Sequence, residues 1–299
     1  MKIFNTINFI ISHPNGSKNK IRSIFRFIIW QIRSRLSSDY QAISWVCASK
    51  LLVKRGDAGL TGNIYVGLHE FQDMGFLLHF LRSNDVFMDV GANAGSFTVL
   101  ASNVVGSKTI AIEPIPDTFK RLEFNIATNN IGEKVKALNM GLGHAQGVLK
   151  FTSNLDCMNH VVHDSIKKND NFNFVSVNVD TLDSVAYKQE ISMIKIDVEG
   201  YELPVLYGAK KILNSSSLKA VIMEINSSTS LYGHQYNEAL MMMKKYSFIC
   251  CKYCPFDRTL ISINNSVELD GNVIFVKDLQ FVQNRLLESI KFNVNGVTF

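Results

Sequence analysis

The stretch Phe87–Ala101, FMDVGANAGSFTVLA, constrains this chain most. An apolar run ends in Asp89, Val90 and Gly91, a second glycine follows at Gly95, and apolar residues then resume at helical spacing. A buried strand turning through glycines into a helix is the opening unit of an open α/β sheet, and its loop lies where such sheets take ligands. The alternation continues. Strands are expected in KTIAIE, KVKALN, SMIKID, LKAVIMEI, SFICCKY and GNVIFVKD, with a short extra strand in GVLKFT. Helices are expected over about 95–103, from Pro114 and Pro116 to about Asn129, in ELPVLYGAKKIL and in NEALMMMKKY. Strands separated by helices predict a doubly wound, mainly parallel sheet. At 299 residues the chain suits one α/β domain with an appendage, here residues 85–277, with an N-terminal extension over 1–84 and a tail over 278–299.

The loop Gly91-Ala-Asn-Ala-Gly95 selects among ligands. A dinucleotide site reads G-x-G-x-x-G, its second glycine admitting a pyrophosphate against the backbone. Asn93 stands at that position and crowds it, and no GxxxxGK[ST] loop is present. Asp89 precedes the loop, and Glu113 ends the second strand 22 residues after Gly91. A carboxylate there accepts ribose hydroxyls and repels phosphate. S-adenosylmethionine meets these conditions: free ribose hydroxyls, no phosphate, an ammonium and a cationic sulfur. The glycines are read as admitting its methionine part, with Asp89 receiving the ammonium.

The second informative stretch is MIKIDVEGYELPVLYGAKKIL, where a strand runs into Asp197 and Glu199. Two carboxylates at that strand end face the same cleft, where one can orient an acceptor hydroxyl and take its proton. A helix start capped by acids, with Lys195 as their partner, is the structural alternative.

Taken together, DVGANAGSFT, IAIEPIPDTFKRLEFN, LDS at 182–184 and IKIDVEGYELPVLYGA resemble the FkbM family of S-adenosylmethionine-dependent methyltransferases over roughly residues 65–277. The resemblance implies a class I methyltransferase (Rossmann-like) fold, a seven-stranded sheet in the order 3-2-1-4-5-7-6 with the last strand antiparallel. It also implies O-methylation of a sugar, glycan or polyketide hydroxyl. Carried over by position, Asp89, Gly91, Asn93, Gly95 and Glu113 hold the donor, Asn139 lies near the adenine, and Asp197 and Glu199 lie near the transferred methyl. NIYVGLHEF is similar to one FkbM subgroup and implies Tyr65 and Glu70 near the donor's methionine end. LDCMNHVV falls where family members line the acceptor pocket, which makes His160 a candidate base; Glu224 has similar standing.

The charge is uneven. Seven of the 31 basic residues fall in residues 1–38, which hold no acidic one, while the other 24 face all 26 acidic residues. The body is near neutral, which argues against a general nucleic-acid surface. The fourth strand also lacks the [DN]-P-P-[YF] sequence of base methylation, so DNA is not the expected substrate. An RNA methyltransferase and a non-catalytic donor-binding scaffold remain as alternatives. Ile21, Ile24, Phe25, Ile28, Ile29, Ile32 and Leu36 form a helical stripe among arginines. That stripe either docks on the body or, through residues 18–36, touches an anionic membrane from the cytoplasmic side. No apolar run approaches the ~18 residues of a membrane span, and no cleavable signal is recognised. Five cysteines without paired CxxC motifs, and a His69-Glu70 pair followed by Asp73 in place of a second histidine, give no expected metal site.

Overall fold

The computed structural model describes residues 2–155, 158–162, 172–225, 231–233, 236–263 and 271–299; Cys157 lies outside them. The chain opens with helices α1 (Lys2–Ser12), α2 (Pro14–Lys18) and α3 (Lys20–Leu36), a hairpin of β1 (Gln41–Ser44) and β2 (Lys50–Val53), then α4 (Ala58–Val66) and α5 (Phe71–Phe80). The wound unit follows: β3 (Val86–Val90), α6 (Ser96–Val99), β4 (Lys108–Ile112), α7 (Pro116–Thr128) and β5 (Val135–Leu138). Next come β6 (Gly141–Leu142), β7 (Gly147–Thr152), β8 (Phe174–Asp180), α8 (Leu182–Val185), β9 (Ile191–Ile196), α9 (Glu202–Tyr207), α10 (Lys210–Asn214) and β10 (Ala220–Ile225). The chain closes with α11 (Tyr236–Lys245), β11 (Ile249–Cys254), β12 (Thr259–Ser262), β13 (Gly271–Val276) and α12 (Leu279–Leu287).

The main sheet runs β5-β4-β3-β9-β10-β13-β11-β12. Without its last edge strand this is the order 3-2-1-4-5-7-6, and β13 is antiparallel to both its neighbours, as the resemblance implied. The eighth strand, β12, is a hairpin return from β11 and covers that edge. The central strands are buried on both faces: Phe87, Met88, Met193 and Ile194 are all 0% exposed, as crossover helices on both sides of a parallel sheet require.

Three local features depart from expectation. Strand β8 pairs antiparallel with β7 and parallel with β6, so the single extra strand is one of a three-stranded sheet beside the main one. The helix expected through ELPVLYGAKKIL is broken at Gly208, where a Cβ would lie 2.2 Å from the Gly143 carbonyl oxygen. Its second half restarts under the Asp183 carboxylate, which accepts the amides of Lys211 and Ile212. Of the three consecutive methionines on α11, Met243 is fully buried and Met241 is exposed.

Neither end of the chain is a mere appendage. Phe71, Met74, Phe76, Leu77, Leu78 and Phe80 of α5 share one core cluster with Val282 and Leu286 of α12, with Phe292 and Phe299, and with the sheet. Helix α3 docks through Ser23, Phe27, Trp30 and Ser34, and Phe27 and Trp30 pack with Leu60, Tyr65 and Val66 of α4. The isoleucine stripe points the other way. Ile21, Phe25, Ile28, Ile29, Ile32 and Leu36 are all exposed and Ile24 is half-buried.

Both loop glycines serve backbone approach. Gly91 has φ +78, and a Cβ there would stand 1.8 Å from the backbone oxygen of Asp197. Gly95 has φ +89, with Leu122 2.6 Å from its would-be Cβ. Gly91 is thus what lets the ends of β3 and β9 close on each other. We expect Gly91→Ala to lower stability by at least the roughly 1–2 kcal/mol of a left-handed alanine, read as a fall in Tm; an unchanged Tm contradicts this account.

Candidate active site

Residues at the carboxyl ends of β3, β4 and β9 meet around a cavity of about 210 Å³. The parallel register sets Asp89 of β3 directly beside Lys195 of β9. Lys195 is 3% exposed, its Nζ lies 2.5 Å from Asp197 Oδ2, and it sits 4.6 Å from the centre of the Phe97 ring. Burial works to lower the Lys195 pKa, but Asp197, Glu70 and Asp89 together outweigh it and hold the ammonium charged. Asp89 is 1% exposed and accepts the Thr98 hydroxyl at 2.7 Å. Burial pushes it up to about 6 against the pull of Lys195 and Thr98.

Glu113 follows β4 and accepts two backbone amides, Asn93 N at 3.0 Å and Ile115 N at 2.9 Å. Burial raises it to about 7 in spite of those bonds. Asn93 itself sits at φ +51, and its side-chain oxygen accepts the Ala94 amide at 2.7 Å. The loop and the carboxylate therefore fix each other.

The IDVEG turn brings Asp197 and Glu199 to the cavity wall. Glu199 adopts φ +54, a left-handed conformation uncommon for a side chain of this type, beside Gly200 at φ +99. Buried Glu202 holds this turn by accepting the amides of Val198 at 3.2 Å and Gly200 at 3.1 Å. Burial first, then the carboxylates of Glu224, Asp197 and Glu202, push Glu199 up to about 8. Asp197, Glu199 and Glu224 each offer an oxygen within 4.8 Å of the others, close enough to converge on one cation.

Of the residues singled out from sequence, Glu70, Asp89, Gly91, Asn93, Glu113, Asp197 and Glu199 line this cavity. Gly95, Asn139, Tyr65, His160 and Glu224 are not on its wall. Asn139 donates to the carbonyls of Glu113 and Pro114 at 2.9 and 3.0 Å and so braces the cavity rim. Tyr65 packs edge-on against Phe27 of α3, ring centres 5.2 Å apart. His160 lies between Asn159 and Val161, which do line the cavity, and its Nδ1 is 2.9 Å from the Met158 carbonyl. The small sheet adds Phe151 to the same wall.

Two residues beside the site have no role assigned from sequence. Asp73 is buried behind the wall and pushed up to about 7 by burial and by Glu70. Asn272, at the start of β13, donates to Glu70 at 2.5 Å and to Asp73 at 3.2 Å. They stand 199 positions apart in the chain, so neither residue's neighbours in sequence announce the contact.

The sequence model of the family described as "Methyltransferase FkbM domain" matches residues 89–250, more than half of the chain. The chain is 30% identical over 151 residues to a protein named hexuronic acid methyltransferase AglP from Haloferax volcanii, covering 50% of this chain and 60% of that one. It is also 30% identical over 159 residues to methyltransferase sdnD from Sordaria araneosa, covering 43% of this chain and 61% of that one. A crystal structure of methyltransferase FkbM from Methylobacillus flagellatus aligns with a TM-score of 0.44 at 14% identity, covering 72% of this chain and 52% of the other. The strand order, the loop geometry and the match over residues 89–250 agree: this chain belongs to the FkbM family of S-adenosylmethionine-dependent methyltransferases.

Proposed function

We propose that this chain transfers a methyl group from S-adenosylmethionine to a hydroxyl of a sugar, in the cytoplasm where that donor is made. The observation that carries this reading is the charge of the cavity. One buried ammonium, Lys195, stands against Glu70, Asp89, Glu113, Asp197 and Glu199 on the wall and Asp73 behind it. Such a surface gains negative charge as these carboxylates ionise, and a cationic ligand without phosphates draws them to ionise where a pyrophosphate or a polynucleotide would oppose it. Burial keeps the pKa values of Asp89 and Glu113 raised in spite of nearby Lys195 and Arg121, and a sulfonium and an ammonium in the cavity would favour their ionised forms.

Glu113 would accept the ribose hydroxyls, Asp89 and Glu70 would receive the ammonium, and the Gly91–Gly95 loop would form the bed between them. Asn139 shapes the adenine end by fixing residues 113–114. Bound there, the donor supplies an electrophilic methyl. The chain's own work is to place an acceptor oxygen in line with it and to take the oxygen's proton. Glu199 is the base in this account. It lines the cavity, its pKa lies near working pH, and the buried Glu202 holds its turn. His160 is set aside because it is not among the residues lining the cavity and its Nδ1 lies 2.9 Å from the Met158 carbonyl. Asp197, fixed by Lys195, orients the acceptor. A sugar acceptor is supported by the similarity to the Haloferax hexuronic acid methyltransferase.

The test is transfer of labelled methyl to uronic acid glycans, neutral glycans and RNA. We expect transfer to a sugar hydroxyl, with Glu199→Gln lowering kcat by roughly 100- to 10,000-fold at unchanged donor affinity. Transfer to RNA alone, or full kcat in Glu199→Gln, overturns the reading.

Two pH effects follow. A base must be ionised to accept a proton, and Glu199 ionises only near 8. At saturating donor the rate of the wild-type chain should therefore rise with pH through about 8 and level off only above it, and this rise should vanish in Glu199→Gln. Donor binding needs Asp89 and Glu113 ionised, and their pKa values are about 6 and about 7. Affinity should strengthen as pH rises through that range with protons released, read by calorimetry in two buffers of different ionisation enthalpy.

A further inference from the structure

The outward stripe of α3 is a feature that the proposed reaction does not use. Helix geometry places Ile21, Phe25, Ile28, Ile29, Ile32 and Leu36 within an arc of about 100°, opposite the docked face of Ser23, Phe27, Trp30 and Ser34. Ile21 is 85% exposed and Leu36 82%. Apolar side chains contiguous in this way on solvent mark a surface made for contact. Arg22, Arg26 and Arg33 flank one edge of the arc, and Lys20 and Arg35 lie beyond the other.

The charges fit one kind of partner. Residues 1–38 contain no acidic side chain, and among the described residues none of these five cations forms an ion pair. Arg26 has its Nη1 buried without a hydrogen-bond partner, and it lines a cavity of about 180 Å³ with Arg33, Trp30, Trp45 and Asn63. A buried guanidinium nitrogen with no acceptor, at the edge of an apolar face, suits a phosphate oxygen held in that cavity. No helix among the described residues is long and apolar enough to cross a membrane.

We infer that α3 is a membrane-surface helix: its isoleucine stripe enters the interface of an anionic phospholipid bilayer, and Arg26 and Arg33 take a lipid phosphate at the edge. The contact would lie one helix away from the donor cavity. Leu60 of α4 lines that cavity and also packs in one cluster with Phe27 and Trp30 of α3. Docking would hold the site beside acceptors at the membrane surface, and it does not depend on which acceptor is used.

The experiment is cosedimentation of the full chain with vesicles of phosphatidylglycerol and phosphatidylcholine, against phosphatidylcholine alone. We expect binding to the anionic vesicles only, at least about tenfold weaker in Ile28→Asn/Ile32→Asn and roughly 30-fold weaker in Arg26→Gln/Arg33→Gln. Circular dichroism and S-adenosylmethionine affinity should be unchanged in both. Should the isoleucine variant misfold, Ile21→Asn/Leu36→Asn at the most exposed positions replaces it, with the same expected loss. No binding to anionic vesicles, equal binding to neutral ones, or binding indifferent to these substitutions overturns the inference. So does a dimer in sedimentation equilibrium that the isoleucine variant dissociates while vesicles stay unbound, which would give the face to a second copy of the chain.

Discussion

The buried ammonium of Lys195 is the interaction on which the rest of the site depends. It sits in the central strand pair, with Asp89 beside it in register, Asp197 two residues on and Glu70 approaching from the loop before α5. A buried ion pair is weak as a stabilising device, since desolvation offsets most of the attraction, while removal of one partner costs about 3–5 kcal/mol. Its structural consequence here is positional. It gathers carboxylates that would otherwise repel at the mouth of β3 and β9, and leaves the cavity with more acid than base. Gly91 completes the arrangement by letting the loop after β3 press against the Asp197 carbonyl.

Much of the fold was legible in the sequence because the signals are local. The apolar strands, the proline start of α7 and the acids at the ends of β3, β4, β9 and β10 all lie within a few residues of the structure they specify. The glycines are legible as a loop, and a ligand is the use their pattern suggests. The structure adds a second use: Gly91 makes room for the backbone of β9 and Gly95 for Leu122 of α7. No local pattern distinguishes these two uses, because both need only a missing Cβ.

What escaped the sequence was set by distance or by competing faces. Asn272 reaches Glu70 and Asp73 from the far end of the chain, and Glu202 holds the IDVEG turn from a position that reads as ordinary helix-start acid. Helix α3 is apolar on two opposite sides. The isoleucines dominate its periodicity, yet the aromatic pair Phe27 and Trp30, spaced by the small Ser23 and Ser34, makes the closer-packed contact. Helix α5 is apolar nearly all round, which is the mark of burial, and the extension and the tail accordingly close one core with the sheet.

Calorimetric titration of the full chain with S-adenosylmethionine, S-adenosylhomocysteine and NAD tests the central claim most directly, because it asks what an acid-lined cavity behind a glycine loop prefers. The account predicts binding of the first two and none of NAD, with affinity for S-adenosylmethionine weakened in Asp89→Asn. Binding of NAD, or of neither adenosyl compound, would contradict it.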